Sequence, residues 1–274
     1  MNGQQKLWKG MTTFLYASCP CLLYAVLPSV VMLVGQIIRR ITMTPEDFMA
    51  ASGNFYLFVG SLLVLWILRM RSRKRGSTLM KEATLFLEEP DLKFGFRCML
   101  FGVCLAVAFS AFLSVVPLPQ WLIGSYAERT SEIFERTDFI LSLLVIGVVA
   151  PLIEEIVFRG YMINRLLGWY SEKQAILISS IVFGMFHVNL LWVIYAAVMG
   201  FLLAAVAVKK DNILYSICLH LGFNLPSLIT VTAETLGMGD SFFFQSRLLV
   251  AVYGVIAACG VYLLYRRYRT EEDI

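Results

Sequence analysis

The chain has 274 residues, a formal net charge of +4, 59% hydrophobic residues and a mean hydropathy of +0.74. Its charges cluster between long apolar stretches instead of alternating along amphipathic faces, which excludes a soluble globular domain and leaves a polytopic helical membrane protein. The surplus Lys and Arg sit at the ends of those stretches, so the positive charge is a topology signal and no nucleic-acid partner is expected.

Taken in chain order, apolar runs mostly of about the 17 to 25 residues that a bilayer needs predict about eight transmembrane helices. They fall near Thr12 to Ile38, Asn54 to Leu68, Arg97 to Val116, Phe139 to Phe158, Gln174 to Val188, Leu190 to Val208, Asn212 to Thr232 and Leu248 to Tyr265, the second and fifth being short. The first run follows Lys6 and Lys9, lacks a small-residue cleavage site and is long enough to span, so it reads as a retained helix. RMRSRKR at 69–75 follows the second run, Arg165 and Lys173 the fourth, Lys209 and Lys210 the sixth, and Arg266, Arg267 and Arg269 the eighth. All of these fall on one side if both termini are cytoplasmic, and they outweigh Arg39, Arg40, Arg129, Arg136 and Arg247. The expected fold class is all-α: a polytopic integral membrane helical bundle of about eight transmembrane helices with both termini cytoplasmic.

The connections say less. Gly76 to Lys93 sets Leu79, Met80, Ala83, Phe86 and Leu87 against charged neighbours as a rough helical face, and Pro117 to Asp138 carries Trp121 and Tyr126; both read as connectors on the membrane surface. With no Gly-, Pro- or Ser-rich linker, no low-complexity tract and no internal repeat, residues 1–274 read as a single integral membrane domain. Its motif-bearing core is 139–232. Cys19, Cys21, Cys98, Cys104, Cys218 and Cys259 are scattered over apolar segments and read as buried thiols, not as a disulfide framework or metal cluster.

Chemistry concentrates in three stretches inside apolar runs: Glu154-Glu155-x-x-x-Arg159, Phe183-x-x-x-His187 and His220-x-x-x-Asn224. A charged side chain at mid-membrane costs roughly 2.5 to 3.5 kcal/mol on insertion scales, so two adjacent glutamates inside a span need a partner or a task. His187 and His220 are the 2 histidines of the sequence, and their placement in these motifs argues for one composite site. Successive helical residues point about 100° apart, so Glu154 and Glu155 cannot share a face, whereas Glu155 and Arg159 are four apart and do. An ion pair between Glu155 and Arg159 turns Glu154 to the bundle interior, where a desolvated carboxylate suits general-base work. With the fourth span ending at Phe158, Glu154 lies toward the cytoplasmic side and His187 nearer the other, about 10 to 15 Å apart in depth.

Two prolines stand beside these motifs. Pro151 lies four residues after Gly147 and Pro226 four after Gly222, so in a continuous helix each ring presses on a glycine carbonyl and removes one backbone hydrogen bond. Kinks or breaks are expected at both, and irregular backbone in a membrane is tolerated where it is buried in protein or lines a wet cavity.

In order and spacing, EEIVFR at 154–159, FGMFH at 183–187 and HLGFN at 220–224 resemble the CAAX-protease and bacteriocin-processing group of intramembrane endopeptidases, also called the Abi family, which includes the prenyl-protein-specific protease. The resemblance covers roughly Ser142 to Thr230. It implies hydrolysis of a peptide bond in a membrane-associated, lipidated or leader-bearing protein or peptide, by a multi-pass protein expected in a bacterial plasma membrane. It further implies that Glu154, with His187, activates the attacking water, that His220 and Asn224 donate to the oxyanion, and that Glu155, Arg159 and Phe183 are structural. No serine or cysteine nucleophile stands in a recognisable triad, in keeping with direct attack by water.

Zinc is the alternative to a metal-independent mechanism, with Glu154, His187 and His220 as three protein ligands and water in the fourth position. The chain lacks H-E-x-x-H spacing, and asparagine is a natural oxyanion donor and a poor zinc ligand, so no cofactor is favoured. Two other classes use the same residue types. A proton- or ion-coupled transporter employs buried Glu, Arg and His as a relay, although no repeat relates the two halves here. A bacteriocin-immunity protein binds a peptide without cutting it.

Overall fold

The computed structural model describes residues 2–42, 53–84, 89–125, 128, 139–187, 189–235, 253–256 and 259–260. Among the described residues all regular structure is helical, and 6 helices are long and apolar enough to cross a membrane. These are α1 (Gly3–Thr42), α2 (Gly53–Lys74), α4 (Leu92–Val115), α5 (Phe139–Leu166), α7 (Leu190–Lys210) and α8 (Ile213–Thr235). A single turn, α3 (Leu79–Glu82), follows α2, and α6 (Glu172–Met185) precedes α7. The chain is thus a polytopic helical membrane protein. The fifth expected span corresponds to α6, whose 14 residues reach only about 21 Å. The eighth, Leu248 to Tyr265, lies largely outside the described residues.

The chain divides into two compact units, Met1–Glu89 with Ser125–Ser216 and Pro90–Gly124 with Ile217–Ile274, so the motif-bearing stretch 139–232 is shared between them. In the first unit α2 runs parallel to α5. Asn54 Nδ2 donates to Ser142 Oγ at 2.8 Å near one end, and the Ser72 and Tyr161 hydroxyls hydrogen-bond at 2.8 Å near the other. Helix α1 runs antiparallel to α5, with the Tyr170 hydroxyl on the Gly10 carbonyl at 2.9 Å and Cys21 Sγ 3.5 Å from Met162 Sδ. A Ser171/Gln174 capping box starts α6, and Asn189 caps α7 by accepting from the Leu191 and Trp192 amides. Helices α6 and α7 then pack so closely that a Cβ on Gly184 would lie 2.7 Å from the Val193 carbonyl oxygen.

The connector after α2 is more than a surface strap. Ala83 is wholly buried against Gly160 of α5, where a Cβ would come within 2.8 Å of the alanine methyl. The Glu82 carbonyl accepts from Asn164 Nδ2 at 3.1 Å, and the Thr84 carbonyl accepts from the Ile213 amide at 3.2 Å. One end of the first unit also gathers the basic residues that flank three different spans. Lys9 lies 4.6 Å from the Trp169 ring, Arg165 lies 4.3 Å from the Tyr16 ring, and Arg75 donates to the Tyr16 hydroxyl at 3.0 Å and to Glu82. Lys and Arg that the sequence assigns to one side of the membrane therefore meet at one end.

In the second unit α4 and α8 cross at a pair of glycines. A Cβ on Gly102 would strike the Leu219 carbonyl, and one on Gly222 the Met99 carbonyl, so neither position accepts a side chain without separating the helices. In a membrane, where no hydrophobic effect drives helices together, such backbone approach supplies the packing energy.

Candidate active site

Helix α5 is not a regular α-helix. It alternates α (Phe139–Leu144), π (Val145–Val149), α (Ala150–Glu154), π (Glu155–Ile163) and α (Asn164–Leu166). The first π segment lies directly before Pro151, and the Ala150 amide reaches back five residues to the Val145 carbonyl. Widening the helix by a residue per turn accommodates the proline, which lacks an amide hydrogen and crowds the Gly147 carbonyl. The kink or break expected at Pro151 takes the form of a π adjustment within a continuous helix. Helix α8 likewise runs through Pro226 without interruption.

The second π segment carries the buried charges. Every residue from Glu155 to Ile163 is buried, so this stretch is enclosed on all sides. Arg159 Nη1 donates to Glu155 Oε1 at 3.0 Å, with both side chains fully buried. Arg159 Nη2 donates to the Gly200 carbonyl at 3.2 Å, and its guanidinium lies 4.2 Å from the centre of the Phe183 ring. A carboxylate, a carbonyl dipole and an aromatic face thus surround one guanidinium, which is what a charge deprived of water needs. Gly200 permits this because a Cβ there would stand 3.1 Å from Phe183 and 3.4 Å from Arg159 Nη2. The Ser179 hydroxyl, also on α6, donates to the Phe158 carbonyl at 3.4 Å.

One residue earlier the environment changes. Glu154 is part-exposed and accepts from the Tyr24 hydroxyl of α1 at 3.3 Å. The two adjacent carboxylates are therefore separated by helical geometry into a sealed ion pair and a more accessible acid.

Phe158 ties this helix to the second motif. Its ring stacks edge-on against Phe183 at 5.1 Å and Phe186 at 5.2 Å, and Phe183 stacks on His187 at 5.1 Å. Helices α5 and α6 are joined by a short turn and run in opposite directions. Glu154 lies one turn before Phe158 and His187 one turn after Phe183, so each lies about 6 Å beyond that aromatic pair toward the same end. The depth gap expected between Glu154 and His187 is absent for a physical reason. It follows from ending the fourth span at Phe158, whereas Arg159 is neutralised in place and α5 continues through it to Leu166.

His187 stands just past the end of α6, with its amide on the Gly184 carbonyl at 2.9 Å and its Nδ1 3.0 Å from the Phe183 carbonyl. A carbonyl only accepts, so Nδ1 carries a hydrogen and Nε2 is the ring atom left for proton exchange. In the second unit, His220 is buried and Asn224 half-buried on α8. Being four apart they share one face, and the Gly222 and Leu219 backbone that meets α4 lies on another. As to zinc, within the first unit the described residues form no group of three or more His, Cys, Asp and Glu that could hold a metal ion, and His220 belongs to the second unit.

Tyr24, Ser179 and Gly200 went unnoticed in the sequence. Each acts on a motif residue across at least 21 positions of chain, and no local pattern marks such a contact.

The described residues thus form a helical membrane protein with a buried Glu155–Arg159 pair and a histidine stacked on Phe183. Residues 136–226 match the family model described as Type II CAAX prenyl endopeptidase Rce1-like. The UPF0177 protein YxdF of Lactococcus lactis subsp. lactis (strain IL1403) is 27% identical over 126 residues, 45% of this chain and 70% of that protein. The protein named "Putative membrane peptidase YdiL" of Bacillus subtilis (strain 168) is 32% identical over 103 residues, 37% of this chain and 42% of its own length. No solved structure matches the chain. On these findings the stretch that carries the motifs is similar to CAAX prenyl endopeptidases of the Rce1-like type, and the comparisons support an intramembrane protease of the CAAX type.

Proposed function

We propose that this protein is an intramembrane endopeptidase of a bacterial plasma membrane. It cleaves a peptide bond in a membrane-associated, lipidated or leader-bearing protein or peptide. The observation that carries the reading is the division of labour in α5: Glu155 is sealed in an ion pair with Arg159, while Glu154, one residue earlier, stands part-exposed. In the reaction Glu154, assisted by His187 Nε2, takes a proton from water as the oxygen attacks the scissile carbonyl. His220 and Asn224 donate to the oxyanion, and the proton passes to the leaving amine as the C–N bond breaks. A positioned general base is worth about 10²- to 10⁴-fold and each oxyanion donor about 10²- to 10³-fold in such reactions.

The roles of His220 and Asn224 rest on the motif resemblance. The mechanism is metal-independent, which the pairing of an oxyanion-type asparagine with histidine supports. Incubation with a zinc chelator at saturating concentration is expected to leave cleavage unchanged, and full loss restored by added Zn²⁺ would reverse this assignment.

The reading is tested by N-terminal peptide profiling of native membranes and culture medium, comparing wild type with Glu154→Ala at matched protein level. New N-termini that vanish in the variant and return on complementation are the expected result. Identical profiles, with the substrate pool shown to be expressed, would reject proteolysis and favour the transporter class, for which proton flux in proteoliposomes is the direct assay.

A further inference from the structure

We propose that Tyr24, on α1, is a positioning residue for Glu154 that fixes the rotation of its carboxylate for attack on the substrate. The proposal rests on the protease reading above and adds to it a residue from outside the 136–226 segment that the family model matches. Most of α1 is exposed within the protein, and its buried residues are Gly10, Ala17, Ser18, Pro20, Cys21 and Tyr24. Gly10, Ala17, Cys21 and Tyr24 follow one helical face at spacings of seven, four and three. The first three are small, which lets α1 lie close along α5, with Cys21 3.5 Å from Met162. Tyr24 ends that stripe as its one large side chain, 9% exposed, with its hydroxyl 3.3 Å from Glu154 Oε1.

An ionised carboxylate only accepts, so the phenol donates. A phenol suits this task because its ring is held by packing and only the O–H is left to orient. Rotation about the last side-chain bond of glutamate is soft, with broad and roughly two-fold minima, so each hydrogen bond to the carboxylate narrows the orientations that it presents to the water. One hydrogen bond from a rigid neighbour selects among them, and misplacement on the ångström scale costs about a hundredfold in rate.

Tyr24→Phe removes the oxygen and keeps the ring. In purified protein reconstituted into vesicles, with a substrate found by the profiling experiment, kcat is expected to fall about tenfold to a hundredfold while KM stays within about twofold. Midpoint temperatures of unfolding should agree between the two proteins, which separates this from a packing defect. The direct readout is infrared: the carboxylate stretching bands of Glu154, isolated as the difference between each protein and its Glu154→Gln counterpart, should shift between the wild-type and Tyr24→Phe backgrounds. Loss of kcat together with a band shift establishes the role. Coincident bands overturn it, as does a band shift with unchanged kcat. Glu154-dependent cleavage that is indifferent to Tyr24→Phe sinks Tyr24 alone, whereas no cleavage by the wild type removes the protease reading itself.

Discussion

Helices α5 and α8 each carry a polar motif through an apolar environment, and they hold it by opposite means. On α5 the motif is kept by charge. The helix widens into a π form, Arg159 is enclosed by Glu155, the Gly200 carbonyl and Phe183, and the whole segment is buried. On α8 the helix stays regular past Pro226, and the motif is kept by shape, with Gly222 pressed on the Met99 backbone of α4. One device is strong and intolerant of losing a partner, the other cheap and intolerant of gaining a methyl group.

The largest effect is expected from separating the buried pair. Glu155→Leu leaves a guanidinium that cannot discharge itself in a dry site, and breaking such a pair costs about 3 to 5 kcal/mol. Thermal unfolding in detergent should show this as loss of folded protein. The double variant Glu155→Leu/Arg159→Leu removes both charges and should recover most of that stability, because it is the unpaired charge and not the missing attraction that is costly. A double variant no better than the single would mean that Arg159 is held mainly by Gly200 and Phe183.

Shape is probed next. Gly→Ala in a helix interior ordinarily gains about 0.5 to 1 kcal/mol. At Gly222 the methyl would strike the Met99 carbonyl, so the sign should reverse, with a cost of about 1 to 3 kcal/mol from overpacking. Gly102→Ala should behave alike, since its methyl meets the Leu219 carbonyl. Stabilisation by either substitution would show that α4 and α8 are not in backbone contact. A smaller effect, about 1 kcal/mol, is expected for Ser72→Ala, which removes one hydrogen bond of the buried Tyr161 hydroxyl at one end of the α2–α5 seam.

How far the sequence revealed this arrangement follows from the same contrast. The apolar runs, the three motifs and the Glu155–Arg159 pair are readable because they depend on composition and on helical spacing within one segment. The end of α5 was hidden because a buried, neutralised arginine looks in sequence like one at a membrane edge. The π segments have no sequence signature beyond Pro151, whose effect is a change of pitch and not a break. Ala83 in the Gly160 notch was hidden as well: a single alanine in a charged connector gives no sign that it will be buried. Contacts such as Tyr24 to Glu154, 130 residues apart, depend on which helices become neighbours.

The smallest stability change should come from the residue proposed as the general base. Glu154 and Glu155 are chemically identical and adjacent, but only Glu155 is fully buried against a cation. Glu154→Gln keeps an oxygen to accept from Tyr24 and leaves the ion pair untouched, so unfolding should shift by less than about 1 kcal/mol. An amide, however, cannot take a proton from water at neutral pH, and if Glu154 is the base then substrate-specific cleavage should fall by at least about a hundredfold. The comparison is decisive because the two outcomes separate. A variant that folds like the wild type and does not cut assigns the chemistry to Glu154. One that unfolds along with losing activity would place Glu154 with Glu155 as part of the scaffold, and the base would have to be sought at His187.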